Sequence, residues 1–449
     1  MRARADLSSA CGRFRNAAKA IEPALVAGFF VLKGKKVMRF TSKLVHSDRH
    51  FGVQHGALIK PIHPGVTYGY EDTHDLAAVF QGKQAGYTYG RQISPTIEAL
   101  QRKVTEMEEG LATVCFGTGM AAIGTALFAL LKAGDHVVTS QYLFGNTASL
   151  FQTFVRQGID VTFVDSTSVS DVEQAMTDKT RVVFTETIAN PRTQVADLYG
   201  IGALCKDRQV LYIVDNTVTT PYLFSPKAAG ADMVVNSLTK YIGGHGNALG
   251  GAITDLGTFD WSAFDNILEI YRSGNPGMWG INQIKKKGLR DFGASMSPDA
   301  AHRISAGSDT LALRMARCCD TALALAHVLN EHDLVEQVYY PGLPNHPQHE
   351  RSASWFKHHG AILSFEPRSD LDCFELLNAM RLVVKATHLG DLRTLALPVA
   401  QTIFYELGPE RRAQMGIEEN LIRMSIGIED AEDLIEDVQQ ALAHVARML

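Results

Sequence analysis

Cysteine is scarce: the 449 residues hold six, Cys11, Cys115, Cys205, Cys318, Cys319 and Cys373, with no Cys-x-x-Cys pair and no zinc-site spacing. That argues against a disulfide scaffold or a structural metal, and it predicts a reducing, cytoplasmic setting with no metal. The vicinal pair Cys318 and Cys319 lies in "LALRMARCCDTALALAHVL", whose apolar residues recur at helical spacing, so buried thiols are expected there. Charge of one sign is missing too. With 43 Lys and Arg against 48 Asp and Glu, the net charge of −5 offers no field for nucleic acid or an anionic membrane surface. The apolar run Ala24 to Leu32 is too short to span a bilayer and no clean cleavage site follows it. Repeats and low-complexity tracts are absent.

What is present is an ordinary globular balance, 46% hydrophobic and 20% charged, at a length that predicts two or three domains. Residues 1–37 stand apart, with basic residues such as Arg2, Arg4, Arg13, Arg15, Lys33, Lys35 and Lys36 against only Asp6 and Glu22. A disordered extension is expected there, with Met38 as the functional start. From Leu111 to about Asp255, short apolar runs alternate with helical stretches: "HVVTS", "DVTFVD", "RVVFTE", "VLYIVD" and "DMVVNS". Continuous apolar strands of this kind are buried on both faces, the signature of a mostly parallel sheet covered by helices. Past about Asp309 the pattern changes to a long helix, then "HGAILSFEP", "LRMSIGIED" and a final amphipathic helix, which predicts a smaller α+β domain.

In open α/β sheets ligands bind beyond the carboxyl ends of the strands, where Asp215 closes one apolar run and Ser237 another. The stretch "NSLTKYIGGHGNALGG" places Lys240 just after that edge. Ser237 and Lys240 have the Ser-x-x-Lys spacing of a serine nucleophile, but the Ser-Asp-Asn and Lys-Thr-Gly companions of that motif do not occur. The alternative is a lysine that forms a Schiff base with pyridoxal 5′-phosphate (PLP), and it makes further demands. An anion must keep the pyridine nitrogen protonated. Asp215 suits this, although a turn aspartate would look the same. A phosphate cup needs N–H groups at a helix start, and "FGTGMAAIGTALFALL" supplies one, though it also resembles a broken dinucleotide turn. A substrate carboxylate needs an arginine fork; Arg423, amid apolar residues on a predicted strand, would be costly without a carboxylate to meet, and a structural salt bridge is the plainer reading.

Taken together, "YTYGRQISPT", "FGTGMAA", "QYLFGNT", "TETIANP", "IVDNT", "NSLTKYIGGHG" and "LIRMSIGIEDAEDLI" resemble, in order from about Leu44 to the C-terminus, the motifs of the Cys/Met-metabolism PLP-dependent family. The resemblance implies an α/β, fold-type-I PLP enzyme with a smaller C-terminal α+β domain. It divides the chain into an N-terminal arm over 38–95 serving the neighbouring subunit's site, a PLP-binding domain over 96–311 and a C-terminal domain over 312–449. It assigns Lys240 as Schiff-base lysine, Asp215 as partner of the ring nitrogen, and Gly119, Met120, Ser237 and Thr239 as phosphate ligands. Tyr89 and Arg91 would reach the phosphate in a neighbouring subunit, Asn190 would lie near the cofactor's phenolic oxygen, and Arg423 would anchor the substrate carboxylate. A homo-oligomer, usually a tetramer, follows.

The implied reaction is γ-replacement on an O-acylhomoserine by a thiol, as in cystathionine γ-synthases and homoserine sulfhydrylases of methionine biosynthesis. A β- or γ-lyase and a catalytically silent protein of the same fold are the alternatives. Departures from the family pattern bear on that choice. Phe144 replaces the tyrosine that much of the family stacks on the ring, so stacking is kept and a phenol is lost. Asn146 stands where methionine γ-lyases carry a cysteine. In "KATHLGDLRTLALPVAQTIF", His388 replaces a serine or asparagine near the catalytic lysine. It is read either as a proton relay or, preferably, as a neutral hydrogen-bonding replacement.

Overall fold

The five apolar runs become five strands of one sheet, and in the four interior ones the alternation of side chains between two buried faces explains why the run is apolar on both. The sheet consists of β1 (Ala112–Phe116), β2 (His136–Ser140), β3 (Asp160–Val164), β4 (Thr180–Glu186), β5 (Leu211–Asp215), β6 (Met233–Asn236) and β7 (Gly251–Asp255), in the order β1-β7-β6-β5-β4-β2-β3. Only β7 runs against the rest. Val138, Val183, Tyr212, Val214 and Val234 enter one core, and their neighbours Val137, Val182, Leu211, Ile213 and Val235 enter the core on the opposite face. Each such side chain contributes about 1.5–3 kcal/mol on full burial, so a polar residue at any of them would be costly on whichever face it fell.

The computed structural model describes residues 38–448; the basic stretch 1–37, with its expected disorder and its apolar run, lies outside the described residues. The described residues form two compact units. In the first, Thr67–Tyr89, the helix Thr73–Phe80 is capped by Asp72, whose side chain accepts from the His74 N–H, and Thr67 bridges to Tyr89. The second, 38–66 with 90–448, holds the seven-stranded sheet and a smaller one.

That smaller sheet comprises β8 (Val335–Tyr339), β9 (Ile362–Pro367), β10 (Val384–Lys385), β11 (Leu395–Pro398) and β12 (Ile422–Ser425), in the order β10-β11-β12-β9-β8. The helix Leu311–Asn330 ties the two sheets together. Leu311, Met315, Cys318 and Cys319 pack in the core of the large sheet, whereas Ala322, Leu325, Ala326 and Leu329 pack in that of the small one with the helix Ala431–Ala446. The vicinal cysteines are buried free thiols, and burial pushes the Cys318 thiol up to about 12, which removes thiolate chemistry from them. Among the described residues no helix is long and apolar enough to cross a membrane.

Candidate active site

A cavity of about 480 Å³ opens at the carboxyl ends of β4, β5 and β6, and its wall carries Gly119, Met120, Phe144, Asn146, Glu186, Asn190, Asp215, Ser237, Thr239, Lys240 and Arg423. The helix Gly119–Leu130 points its first turn into it. Thr118 caps this helix by accepting from the Ala121 N–H at 3.0 Å, and the N–H groups ahead of the first completed turn have no intrahelical partner. The helix comes so close to the end of β6 that a Cβ on Gly119 would lie 2.9 Å from the Cβ of Ser237, which requires glycine there. The result is a cup of backbone N–H groups and a hydroxyl suited to a phosphate. The Ser237 hydroxyl makes no side-chain hydrogen bond among the described residues. That of Thr239 already donates to the Gly250 carbonyl at 3.1 Å and accepts from the Gly250 N–H at 2.9 Å, so its proton serves the loop.

At the opposite end, Asp215 closes β5 and accepts from the Thr217 N–H at 2.9 Å. Burial raises its carboxyl to about 6; a cationic ring nitrogen placed against it would reverse that effect. Glu186, its register partner on β4, is a residue that the sequence reading passed over. It accepts from the Phe144 N–H at 3.0 Å, and burial, followed by the charge of Asp215, lifts it to about 8. The signal was available: Glu186 ends an apolar strand as Asp215 does, inside the quoted "TETIANP". The amide oxygen of Asn190 is buried without a partner, as a residue waiting for a polar group of a ligand would be.

Lys240 follows β6 in a tight turn, its N–H donating to the Ser237 carbonyl at 3.0 Å. Burial, then the nearby Arg423 guanidinium, lowers its amine to about 8, so that a usable fraction is the neutral nucleophile at neutral pH. Its Nζ lies 3.2 Å from Nδ1 of His388. His388 stands between Thr387 and Leu389, which line the cavity, and itself faces a second cavity of about 530 Å³. Burial and the charge of Lys240 hold it down at about 4, and its Nε2 is buried without a partner.

Arg423 reaches the cavity because strand alternation leaves it no other side. Ile422 and Met424 enter the core of the small sheet, so Arg423 points the other way, 1% exposed. Its Nη2 donates to the carbonyls of His388 (2.9 Å) and Thr387 (3.3 Å), its Nε has no partner, and among the described residues no carboxylate pairs with it. The salt-bridge alternative is thereby removed. A guanidinium this buried, with Nε unpartnered, could meet an anion brought by a ligand. Of the two remaining predicted site residues, Tyr89 belongs to the Thr67–Tyr89 unit, and Arg91 donates to the Arg290 carbonyl away from the cavity wall.

A buried amine, a buried carboxyl, a phenyl ring, a helix-end cup and an arginine with no carboxylate partner among the described residues line one cavity, a set that would fit PLP and an amino acid joined to it. Residues 41–443 match the model of the Cys/Met metabolism PLP-dependent enzyme family. The L-methionine γ-lyase of Fusobacterium nucleatum subsp. polymorphum is 38% identical over 87% of this chain and 95% of its own. O-acetyl-L-homoserine sulfhydrylase 1 of Thermus thermophilus is 35% identical over 85% of this chain and 94% of its own. A crystal structure of a putative O-acetylhomoserine (thiol)-lyase from Campylobacter jejuni, carrying a pyridoxyl-lysine monophosphate, superposes with a TM-score of 0.85 at 30% identity, over 90% of this chain and all of that one.

Proposed function

The chain belongs to the Cys/Met metabolism PLP-dependent enzyme family, and from that premise we propose that it catalyses γ-replacement on an O-acylhomoserine, with a thiol as the entering group. Bound in the cavity, PLP supplies an electron sink conjugated with the substrate's α-carbon. Arg423 holds the substrate carboxylate, Asp215 keeps the ring nitrogen protonated, Ser237 and the N–H groups of Gly119 and Met120 hold the phosphate, and Phe144 stacks on the ring. Lys240 would take the proton from Cα and hand protons on at the neighbouring carbons. The Cγ–O bond then breaks, the acyl group leaves as a carboxylate, and the thiol sulfur bonds to Cγ with loss of its proton.

One observation carries the choice of leaving group. Among the described residues the cavity wall contains no tyrosine and no cysteine, so this wall offers a leaving group no phenol or thiol as its acid. A carboxylate, whose acid has a pKa of about 4, leaves without being protonated, whereas a thiolate with a pKa of about 8.5 or above departs far better with a proton in hand. An acyl ester suits this wall better than methionine does. The likeness to the Fusobacterium lyase supports a second reading, γ-elimination with release of a keto acid and ammonia. Keto-acid formation from succinyl-, acetyl- and phosphohomoserine and from methionine, each with and without cysteine or sulfide, separates the two. Thioether product from an ester and a thiol, with little keto acid, supports replacement; keto acid from methionine at a comparable rate overturns it. The same premise supports a homo-oligomer in which Tyr89 and Arg91 serve a neighbouring chain's cofactor phosphate.

A further inference from the structure

A second buried arginine lies beneath the lysine. Arg314, on the helix Leu311–Asn330, is 7% exposed, and among the described residues no carboxylate pairs with it. All of its hydrogen bonds go to neutral oxygens. Nη1 donates to the Tyr241 carbonyl at 2.7 Å, Nη2 to the carbonyls of Ile242 at 3.2 Å and Gly307 at 2.8 Å, and Nε to the Thr310 hydroxyl at 3.1 Å. Tyr241 and Ile242 immediately follow Lys240, and Gly307 is in the last turn of the helix Pro298–Ser308. The guanidinium therefore closes the carbonyl end of the helix Pro298–Ser308 and the carbonyls of the turn after Lys240, whose partial negative charge offsets the burial of an unpaired cation. Fit is tight on both sides of the lysine's backbone. Gly244, at φ +70°, leaves no room for a Cβ, which would fall 2.1 Å from Arg314 Nη1, and a Cβ on Gly390 would fall 2.5 Å from the Tyr241 nitrogen.

We propose that Arg314 is a positioning residue for Lys240: its planar fork fixes the turn that follows the lysine and so sets the direction from which Nζ enters the cavity. The proposal rests on the reading of Lys240 as the cofactor lysine. A lysine at this position would keep the charge and lose the geometry, since one ammonium cannot meet carbonyls of two separate segments together with a hydroxyl. The burial that lowers the guanidinium to about 10 leaves it charged at neutral pH, so the charge itself is constant and geometry is the variable.

The test compares wild type with Arg314→Lys, Arg314→Gln and the milder Thr310→Val, all loaded with PLP. In each, four quantities are measured: thermal midpoint, visible circular dichroism of the bound cofactor, rate of borohydride trapping on Lys240 by peptide mapping, and kcat and KM separately. Arg314→Lys is expected to alter the cofactor's circular dichroism, slow trapping, and lower kcat about tenfold or more with KM within about threefold, since a small displacement of a reacting group is that costly. Thr310→Val should show a smaller change of the same sign and keeps the test alive if the Arg314 variants do not fold. A lowered thermal midpoint with wild-type circular dichroism, trapping and kcat in the folded variants overturns the proposal and leaves Arg314 a packing residue. Trapping of the unsubstituted protein at another lysine would overturn the premise itself, and it is recognised by appearing without any substitution.

Discussion

Replacing His388 by asparagine or serine separates two roles by magnitude. In the folded protein the imidazole faces Lys240 Nζ through Nδ1 at 3.2 Å, while its backbone carbonyl holds Arg423 and is untouched by the substitution. Burial and the charge of Lys240 push the ring down to about 4, so at neutral pH it is the uncharged imidazole, a hydrogen-bonding partner of Lys240 and not an imidazolium acid. A neutral hydrogen bond contributes about 0.5–1.5 kcal/mol, or about 2- to 12-fold in rate if all of it is felt in the transition state. A general acid or base contributes about 100- to 10,000-fold. Steady-state turnover of both variants should therefore remain within about tenfold of wild type, with pH–rate profiles that superimpose near neutrality. Stability gives an independent sign. The ring's folded value of about 4 lies below its ordinary 6.5, so its contribution is complete above the higher value and is lost as pH falls toward the lower. Urea midpoints of the cofactor-free protein should fall with acid less steeply for His388→Asn than for wild type over that interval. A loss of about a hundredfold in turnover together with a vanished neutral limb would refute the hydrogen-bonding role and make His388 a proton relay.

Other expectations follow from the same geometry. Asp215→Asn should retain PLP, measured by cofactor content after dialysis, and lose about a hundredfold or more in turnover, the scale of one preorganised charge; retention within about threefold of wild type would contradict its role at the ring nitrogen. Phe144→Tyr restores a phenol to the cavity wall, so the rate on methionine should rise relative to that on O-acylhomoserine; an unchanged ratio would remove the leaving-group argument. If sites are shared between subunits, Arg91→Ala and Lys240→Ala chains, each poor alone, should regain activity when co-assembled. Mixed oligomers no better than either parent after verified exchange would speak against sharing.

Local pattern alone was enough to read β2 and β4 to β6, because a strand buried on both faces is largely apolar along its length, and that constraint is written in consecutive residues. The same holds for Asp215, Ser237 and Lys240, polar residues at the ends of such runs, and for the glycines and threonine that start the helix Gly119–Leu130. Arg423 was recognisable as a charge among apolar neighbours, yet that no carboxylate among the described residues pairs with it was not, since that depends on every residue folded around it. Glu186 ends an apolar run as Asp215 does, but that it stands beside Asp215 follows only from their register, which pairs residues 29 positions apart. The neutrality of His388 likewise comes from burial beside Lys240, 148 residues away in the chain. The place of Arg314 under the Lys240 turn exists only in the folded chain, 74 positions after that lysine. Periodicity is a property of neighbours in sequence, whereas register, desolvation and unpaired charge are properties of neighbours in space, which only chain closure over long separations brings into being.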